Sequence, residues 1–421
     1  MAQCAVAEAS PAPPPAPLAT AGGAPRTFGF VFDIDGVLAK GEALIPGAVE
    51  AIKKVGRGRE KRGGGERGGR ARIVLIMFFL YMFFPLPPQV RAANAPYVFV
   101  TNQGWLSEAD RADLLSRQLG VPVPADACVL AHSALAEDAA ALNPGLVLVT
   151  GRCRTDAAAI VRGYGYVNVR SVEAYSAALP HLNPLKHSGV GGVGDPPPPD
   201  SDAGDAANPH AWARQPVRAI FLVETPADWH DDLQILVDVL RSDGVPGRVV
   251  PPNSPTPQPV AFYCCNFDFL FAAEHPVPRF GPGAFLEALK ALYTRATGGR
   301  DLTVVAHGKP HRPAYTVAEH KLARRAAALM AAGGGGGGGG TTAAPPPSPP
   351  PFRHIYAVGD NPASDVRGAN GAGGAWRSVL VRSGVWDGRG RDNDAGDPAH
   401  FVCDDVGSAV DMILKAEGVV V

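Results

Sequence analysis

Asp33 and Asp35 flank Ile34 directly after the short apolar run from Thr27 to Phe32. Side chains alternate at the end of a strand, so both carboxylates fall on one side. Two acids so close raise one pKa sharply unless a cation neutralises them, and a hard divalent ion such as Mg²⁺ suits oxygen ligands. An isolated Asp-x-Asp reads equally well as a turn or helix cap. Three further apolar runs end in chemistry of their own. Tyr97 to Val100 leads into Thr101-Asn102, a hydroxyl and an amide able to face a phosphate; Leu302 to Val305 precedes His307-Gly308-Lys309-Pro310; Ile355 to Val358 leads into Gly359-Asp360-Asn361-Pro362-Ala363-Ser364-Asp365. Each has a bland reading as a turn, a solvated lysine or a capping loop. In order, though, they gather acids, hydroxyl and ammonium at the tips of four strands, a set suited to one metal-bound phosphoryl group.

The intervening text alternates β-branched runs with amphipathic stretches, as in FGFVF then PGAVEAIKKV and AIFLV then DDLQILVDVL. That pattern predicts parallel α/β sheets with ligands at the carboxyl ends of the strands. The chain of 421 residues is long enough for two domains beside its low-complexity text. With 39 basic and 40 acidic residues its net charge of −1 offers no global field for nucleic acid or anionic lipid. The 6 cysteines are scattered, no C-x-x-C occurs, and zinc signatures fail. Trp229, His230, His311 and Trp376 read as packing or solvated surface rather than pocket residues.

Four stretches are too Gly-, Pro- or Ala-rich to build a core: an Ala/Pro tail over 1–25, the Gly/Arg run Gly56 to Arg72, the segment 188–216, and the tract 333–351. The tail has no apolar core of a signal peptide and no convincing transit-peptide character. The apolar run Ile73 to Phe84 is shorter than the roughly 20 residues that span a bilayer, so no transmembrane span is expected. Residues 55–89 read as a retained intron: FFPLPPQ can be encoded by a polypyrimidine tract closing in CAG. Deleting Val55 to Gln89 joins Lys54 to Val90 in frame and restores a helix, loop and strand.

The four motifs in this order resemble the haloacid dehalogenase (HAD) superfamily from about Phe28 to Trp386. By that resemblance Asp33 is the nucleophile that forms an aspartyl-phosphate, and Asp35 the acid that protonates the leaving oxygen and then activates water. Thr101 and Lys309 hold phosphoryl oxygens, with Asn102 beside them. Asp33, Asp35 through its carbonyl, and Asp360 bind Mg²⁺, and Asp365 orients a water on the metal or Lys309. About 200 residues separate Thr101 from Lys309, too many for one crossover, which implies an inserted domain. This is similar to class IIA of the superfamily, an α/β HAD core, a Rossmannoid parallel sheet, with an inserted α/β cap. The expected division is core over 26–143, cap over 144–262 and core again over 263–421. The elements TNQG, Asn266-Phe267-Asp268, PRFGPGAF, GKP and GDNPASD look like the cat eye syndrome critical region branch. That likeness implies mitochondrial association, with the cytoplasm as alternative, and a link to glycerophospholipid metabolism. Asn266 and Asp268 are candidate substrate residues from the cap; Phe267 replaces the usual proline between them.

The expected activity is a phosphoric monoester hydrolase, Mg²⁺-dependent and acting on a small phosphorylated metabolite. A phosphotransferase would use the same motifs, and a binding or scaffold protein of mitochondrial lipid metabolism is the alternative from another class. Homo-oligomerisation is left open by the sequence.

Overall fold

Strands apolar on both faces must be covered on both faces, and this chain supplies two sets of them. The computed structural model describes residues 28–41, 43–55, 95–153, 156–187, 210–251, 254–271, 277, 279–333, 352–388 and 392–419. The first sheet runs in the order Phe401–Cys403, Trp376–Val381, His354–Gly359, Phe28–Phe32, Tyr97–Val100, Cys128–Val129, all neighbours parallel. Alternation along the central strand feeds two cores. Phe30 and Phe32 join Phe99 and Tyr356 beneath the helices Ala48–Val55, Glu108–Leu119 and Val406–Ala416, whereas Val31 joins Val98, Ile355 and Ala357 beneath helix Arg312–Gly333. Gly29 admits this last helix, because a Cβ there would strike Leu322.

Register then sets the site. Phe32 pairs with Val358 on one side and Phe99 on the other, so three central strands end almost level. Asp33, Thr101 and Asp360 follow them directly and emerge together at the carboxyl edge.

The second sheet is also parallel, in the order Val305–Ala306, Ala261–Cys264, Val217–Leu222, Leu146–Thr150, Val169–Ser171. Ile220, Leu222 and Phe262 face the helices Val172–Ala178, Trp229–Leu240 and Pro282–Ala296; Ala219, Phe221 and Tyr263 face the helices Leu135–Leu142 and Ala157–Arg162.

Three expectations change here. The chain does not return to the first sheet at residue 263: the Ala261–Cys264 strand pairs with Val217–Leu222, and Phe285, Leu286 and Leu289 bury themselves in the second core. Burial of that kind contributes about 1.5–3 kcal/mol per side chain, which fixes the helix to the second sheet. The run before Lys309 likewise forms its strand at Val305–Ala306, on the edge of the second sheet rather than in the first. Finally, the loop expected over 188–216 ends sooner. Residues 188–209 lie outside the described residues, but Ala211–Arg214 form a 3₁₀ turn in which Ala213 is buried and Trp212 packs on Tyr175 and under Arg170. The tail over 1–25 and the residues 334–351 of the low-complexity tract also lie outside the described residues.

The suspected intron begins within the first core. Val55 is fully buried at the end of its helix, and the Ala95 N–H donates to the Val55 carbonyl at 3.1 Å. The chain therefore leaves and re-enters the core at adjacent points; residues 56–94 lie outside the described residues. Deleting Val55 to Gln89 places Val90, an identical side chain, in the Val55 position and leaves 91–94 as the connection. The deletion variant is expected to keep the fold and gain up to about 2 kcal/mol from the shorter loop. Urea unfolding followed by circular dichroism measures this, and a variant that fails to fold contradicts it.

Candidate active site

Asp33 sits at the end of the central strand, 8% exposed, where its backbone N–H donates to the Val358 carbonyl at 2.9 Å. The Lys309 ammonium reaches it across the chain: Nζ lies 2.5 Å from Asp33 Oδ1, 2.7 Å from Asp365 Oδ1 and 3.3 Å from the Val100 carbonyl. Gly308 makes this approach feasible. Its φ of +64° is in the left-handed region, and a Cβ there would collide with the Cys265 carbonyl.

Asn102 then locks the lysine backbone. Its Oδ1 accepts from the Lys309 N–H at 2.8 Å and its Nδ2 donates to the Lys309 carbonyl at 3.1 Å. Asn266 Nδ2 donates to the Asn102 carbonyl at 3.0 Å, and Asn266 Oδ1 accepts from the Asp268 N–H at 2.8 Å. Both amides were candidate substrate contacts; in the structure each bonds backbone groups that set the positions of Lys309, Asn102 and Asp268. Asp268 stays near the centre, its Oδ2 3.5 Å from Asn102 Nδ2.

Asp360 and Asp365 come from the loop after the His354–Gly359 strand. The Val385 N–H donates to Asp360 Oδ2 at 2.6 Å, and neither Gly36 nor Gly384 could carry a Cβ beside that carboxylate. Asp365 Oδ2 accepts from the Asn361 N–H at 3.1 Å, and Tyr315 braces the loop by donating to the Ser364 carbonyl at 3.1 Å. Carboxylate oxygens of Asp33, Asp360 and Asp365 all lie within 4.8 Å of one another, and all three residues are buried. The Asp35 carboxylate is not in this group. It turns instead to Gln103, whose Nε2 donates to Oδ2 at 2.8 Å, and to the Thr101 hydroxyl.

Three buried acids around one ammonium leave excess negative charge. Burial raises the Asp33 pKa well above the usual carboxylate range; Lys309 opposes this, and Asp365 and Asp360 reinforce it. Burial, then repulsion from Asp365, pushes Asp360 up to about 7. For Lys309 burial works against the charge, but Asp33 and Asp365 outweigh it and hold the ammonium well above its ordinary value. This donor set of hard oxygens with unbalanced charge fits a divalent cation.

Thr101 is buried beside these groups, its Oγ1 accepting from the Gln103 N–H at 3.1 Å. Of the aromatic and histidine candidates, Trp376 is core and Trp229 packs on Phe285. His230 is exposed, whereas His311, one residue beyond Pro310, packs against Phe267 with ring centroids 4.5 Å apart and the planes tilted by 56°. Gln103, Arg111, Tyr315 and the Gly384-Val385 turn escaped the sequence reading. Only Gln103 carried a signal, two residues after Thr101 within TNQG.

Comparison with known proteins bears on the same positions. A profile described as haloacid dehalogenase-like hydrolase matches residues 86–167, which include Thr101, and one described as HAD-hydrolase-like matches 306–409, which include Lys309, Asp360 and Asp365. A cardiolipin synthase (CMP-forming) / mitochondrial hydrolase fusion protein of Schizosaccharomyces pombe is 30% identical over 76% of this chain. The match spans about half of that relative, 48% of its length. A mitochondrial hydrolase of Saccharomyces cerevisiae is 27% identical over 86% of this chain and 89% of its own. Among solved structures, a glycerol phosphate phosphatase of Mycobacterium tuberculosis in complex with calcium shares the fold at a TM-score of 0.50 and 19% identity, covering 90% of this chain and 73% of the other.

Proposed function

We propose that this chain, which belongs to the haloacid dehalogenase-like hydrolases, is a Mg²⁺-dependent phosphatase that hydrolyses a small phosphomonoester through an aspartyl-phosphate. One observation carries the reading: the buried Lys309 ammonium touches both Asp33 and Asp365 at the edge where Thr101 and Asp360 also emerge. A carboxylate attacks a phosphate dianion only when fixed positive charge offsets their repulsion, and Lys309 is placed to do so.

In the first step an Asp33 oxygen bonds to phosphorus while the ester P–O bond breaks, and Asp35 gives its proton to the departing oxygen. In the second step Asp35 takes a proton from water, whose oxygen bonds to phosphorus and frees the Asp33 carboxylate. Thr101 and Lys309 hold the equatorial phosphoryl oxygens. Asp33, Asp360 and the Asp35 carbonyl would hold Mg²⁺, which when bound would neutralise the clustered acids and the phosphoryl charge. Asp365 keeps Lys309 aimed at Asp33, as their contact distances support. The second sheet is read as the cap that excludes water and selects the leaving group.

The names of the two fungal relatives favour a mitochondrial setting with a phospholipid-related phosphoester. No described helix is long and apolar enough to cross a membrane. A scaffold without turnover has no use for a buried lysine held among three acids, whose assembly opposes folding without a cation. The test is a phosphate-release screen with Mg²⁺ over sugar, polyol, nucleotide and lipid-headgroup monophosphates. Free phosphate from one class supports hydrolysis; a phosphorylated acceptor in its place identifies a transferase, and neither product overturns the reading.

A further inference from the structure

Besides the Thr101 hydroxyl, the Asp35 carboxylate is held by groups outside the four motifs. Gln103 Nε2 donates to Asp35 Oδ2 at 2.8 Å, while Gln103 Oε1 accepts from Trp105 Nε1 at 3.0 Å and from an Arg111 guanidinium N–H. Arg111 is 4% exposed, with its guanidinium carbon 5.9 Å from the centroid of the Trp105 ring. The carboxamide thus has an acid at its donor end and two donors, one of them a cation, at its acceptor end. Flipping it would set N–H groups against N–H groups and oxygen against oxygen, so the charges on either side fix one orientation. Among the described residues no ion pair joins Arg111 to Asp35 directly. A direct guanidinium pair would occupy both carboxylate oxygens in a bidentate fork. The intervening amide takes one bond to Oδ2 and, with the Thr101 hydroxyl, holds the carboxyl without closing a bidentate fork on it.

We infer that Gln103, itself held by Arg111 and Trp105, is a positioning residue that aims the Asp35 carboxyl at the leaving oxygen of the phosphoester. The inference rests on the phosphatase reading and adds a residue set to it. As the Asp33–phosphorus bond forms and the ester bond breaks, the electron pair stays on the departing oxygen and the Asp35 proton neutralises it. An alkoxide needs that proton; 4-nitrophenolate leaves without it. The two esters therefore separate aiming of the acid from general damage to the site.

With benzyl phosphate and 4-nitrophenyl phosphate as probes, Gln103→Met removes the amide at similar length. Its kcat/KM is expected to fall about 30- to 100-fold on the benzyl ester and about threefold or less on the nitrophenyl ester. Gln103→Glu keeps the acceptor toward Arg111 and Trp105 but loses the donor toward Asp35, and the same split is expected; it remains informative if the Met variant folds poorly. Equal losses on both esters, or a loss below threefold on the benzyl ester, would overturn the inference. A wild-type protein that releases phosphate from neither ester, or an Asp33→Asn variant that still does, instead overturns the phosphatase reading.

Discussion

Asp33→Asn is expected to lose phosphate release by about 10⁴-fold or more while keeping its fold. The amide is nearly the same size and can still accept from Lys309 Nζ, but it has no anionic oxygen to bond to phosphorus. Stability is not expected to suffer in cation-free protein. Burial already raises the Asp33 pKa despite the lysine, with Asp365, Asp360 and Asp35 adding to the rise, so the ionised form is the strained one. Lys309 keeps its 2.7 Å contact with Asp365. Phosphate release and thermal melting on the same preparation measure both halves. A variant that turns over within tenfold of wild type would remove Asp33 as nucleophile, whatever its stability.

The positions of Asp33, Thr101 and Asp360 were legible because parallel strands buried on both faces are continuous apolar runs that stop at the first polar residue. Lys309 was legible as a residue but its strand was misplaced. The text Leu302 to Val305 has no feature that selects one parallel sheet over another, and pairing with Ala261–Cys264 is a tertiary choice. The end of the inserted unit was misjudged for the same reason: helix Pro282–Ala296 is amphipathic whichever core it joins, and only the packing of Phe285 and Leu289 assigns it.

Polar side chains were harder still. Asn102 and Asn266 look like ligands in the sequence because amides bind phosphates well, but their bonds to backbone brought from elsewhere, Lys309 in one case and Asn102 in the other, have no sequence signal. Arg111 reads as a solvated charge within EADRADLLSRQL. It is buried because its guanidinium reaches Gln103 and the Trp105 ring, partners that no helical periodicity announces. The clamp has a mechanical meaning: Lys309 is fixed through backbone and ammonium at once, so little ordering of the lysine is left for the moment of reaction.

Removal of divalent cations with EDTA should stop turnover, and Mg²⁺ should restore it, but the sharper expectation is a pH-dependent change in stability. In cation-free protein Asp360 titrates near 7, raised by burial and then by Asp365, and burial raises Asp33 and Asp35 as well. Unfolded aspartates titrate near 4, so between about pH 4 and 7 the folded state binds more protons than the unfolded one. Stability therefore declines as pH rises through that interval; Lys309, held charged throughout, does not alter the sign. Mg²⁺ replaces the protons as counter-charge, and its stabilisation should grow across the same interval. At 100 times its dissociation constant the ion adds about 2.7 kcal/mol. At pH 5, where protons occupy the acids, the gain should be much smaller. Melting temperatures with EDTA and with Mg²⁺ at pH 5 and pH 8 provide the comparison. A Mg²⁺-induced rise that is equal at both, or larger at pH 5, would mean that Asp33 and Asp360 do not hold the cation.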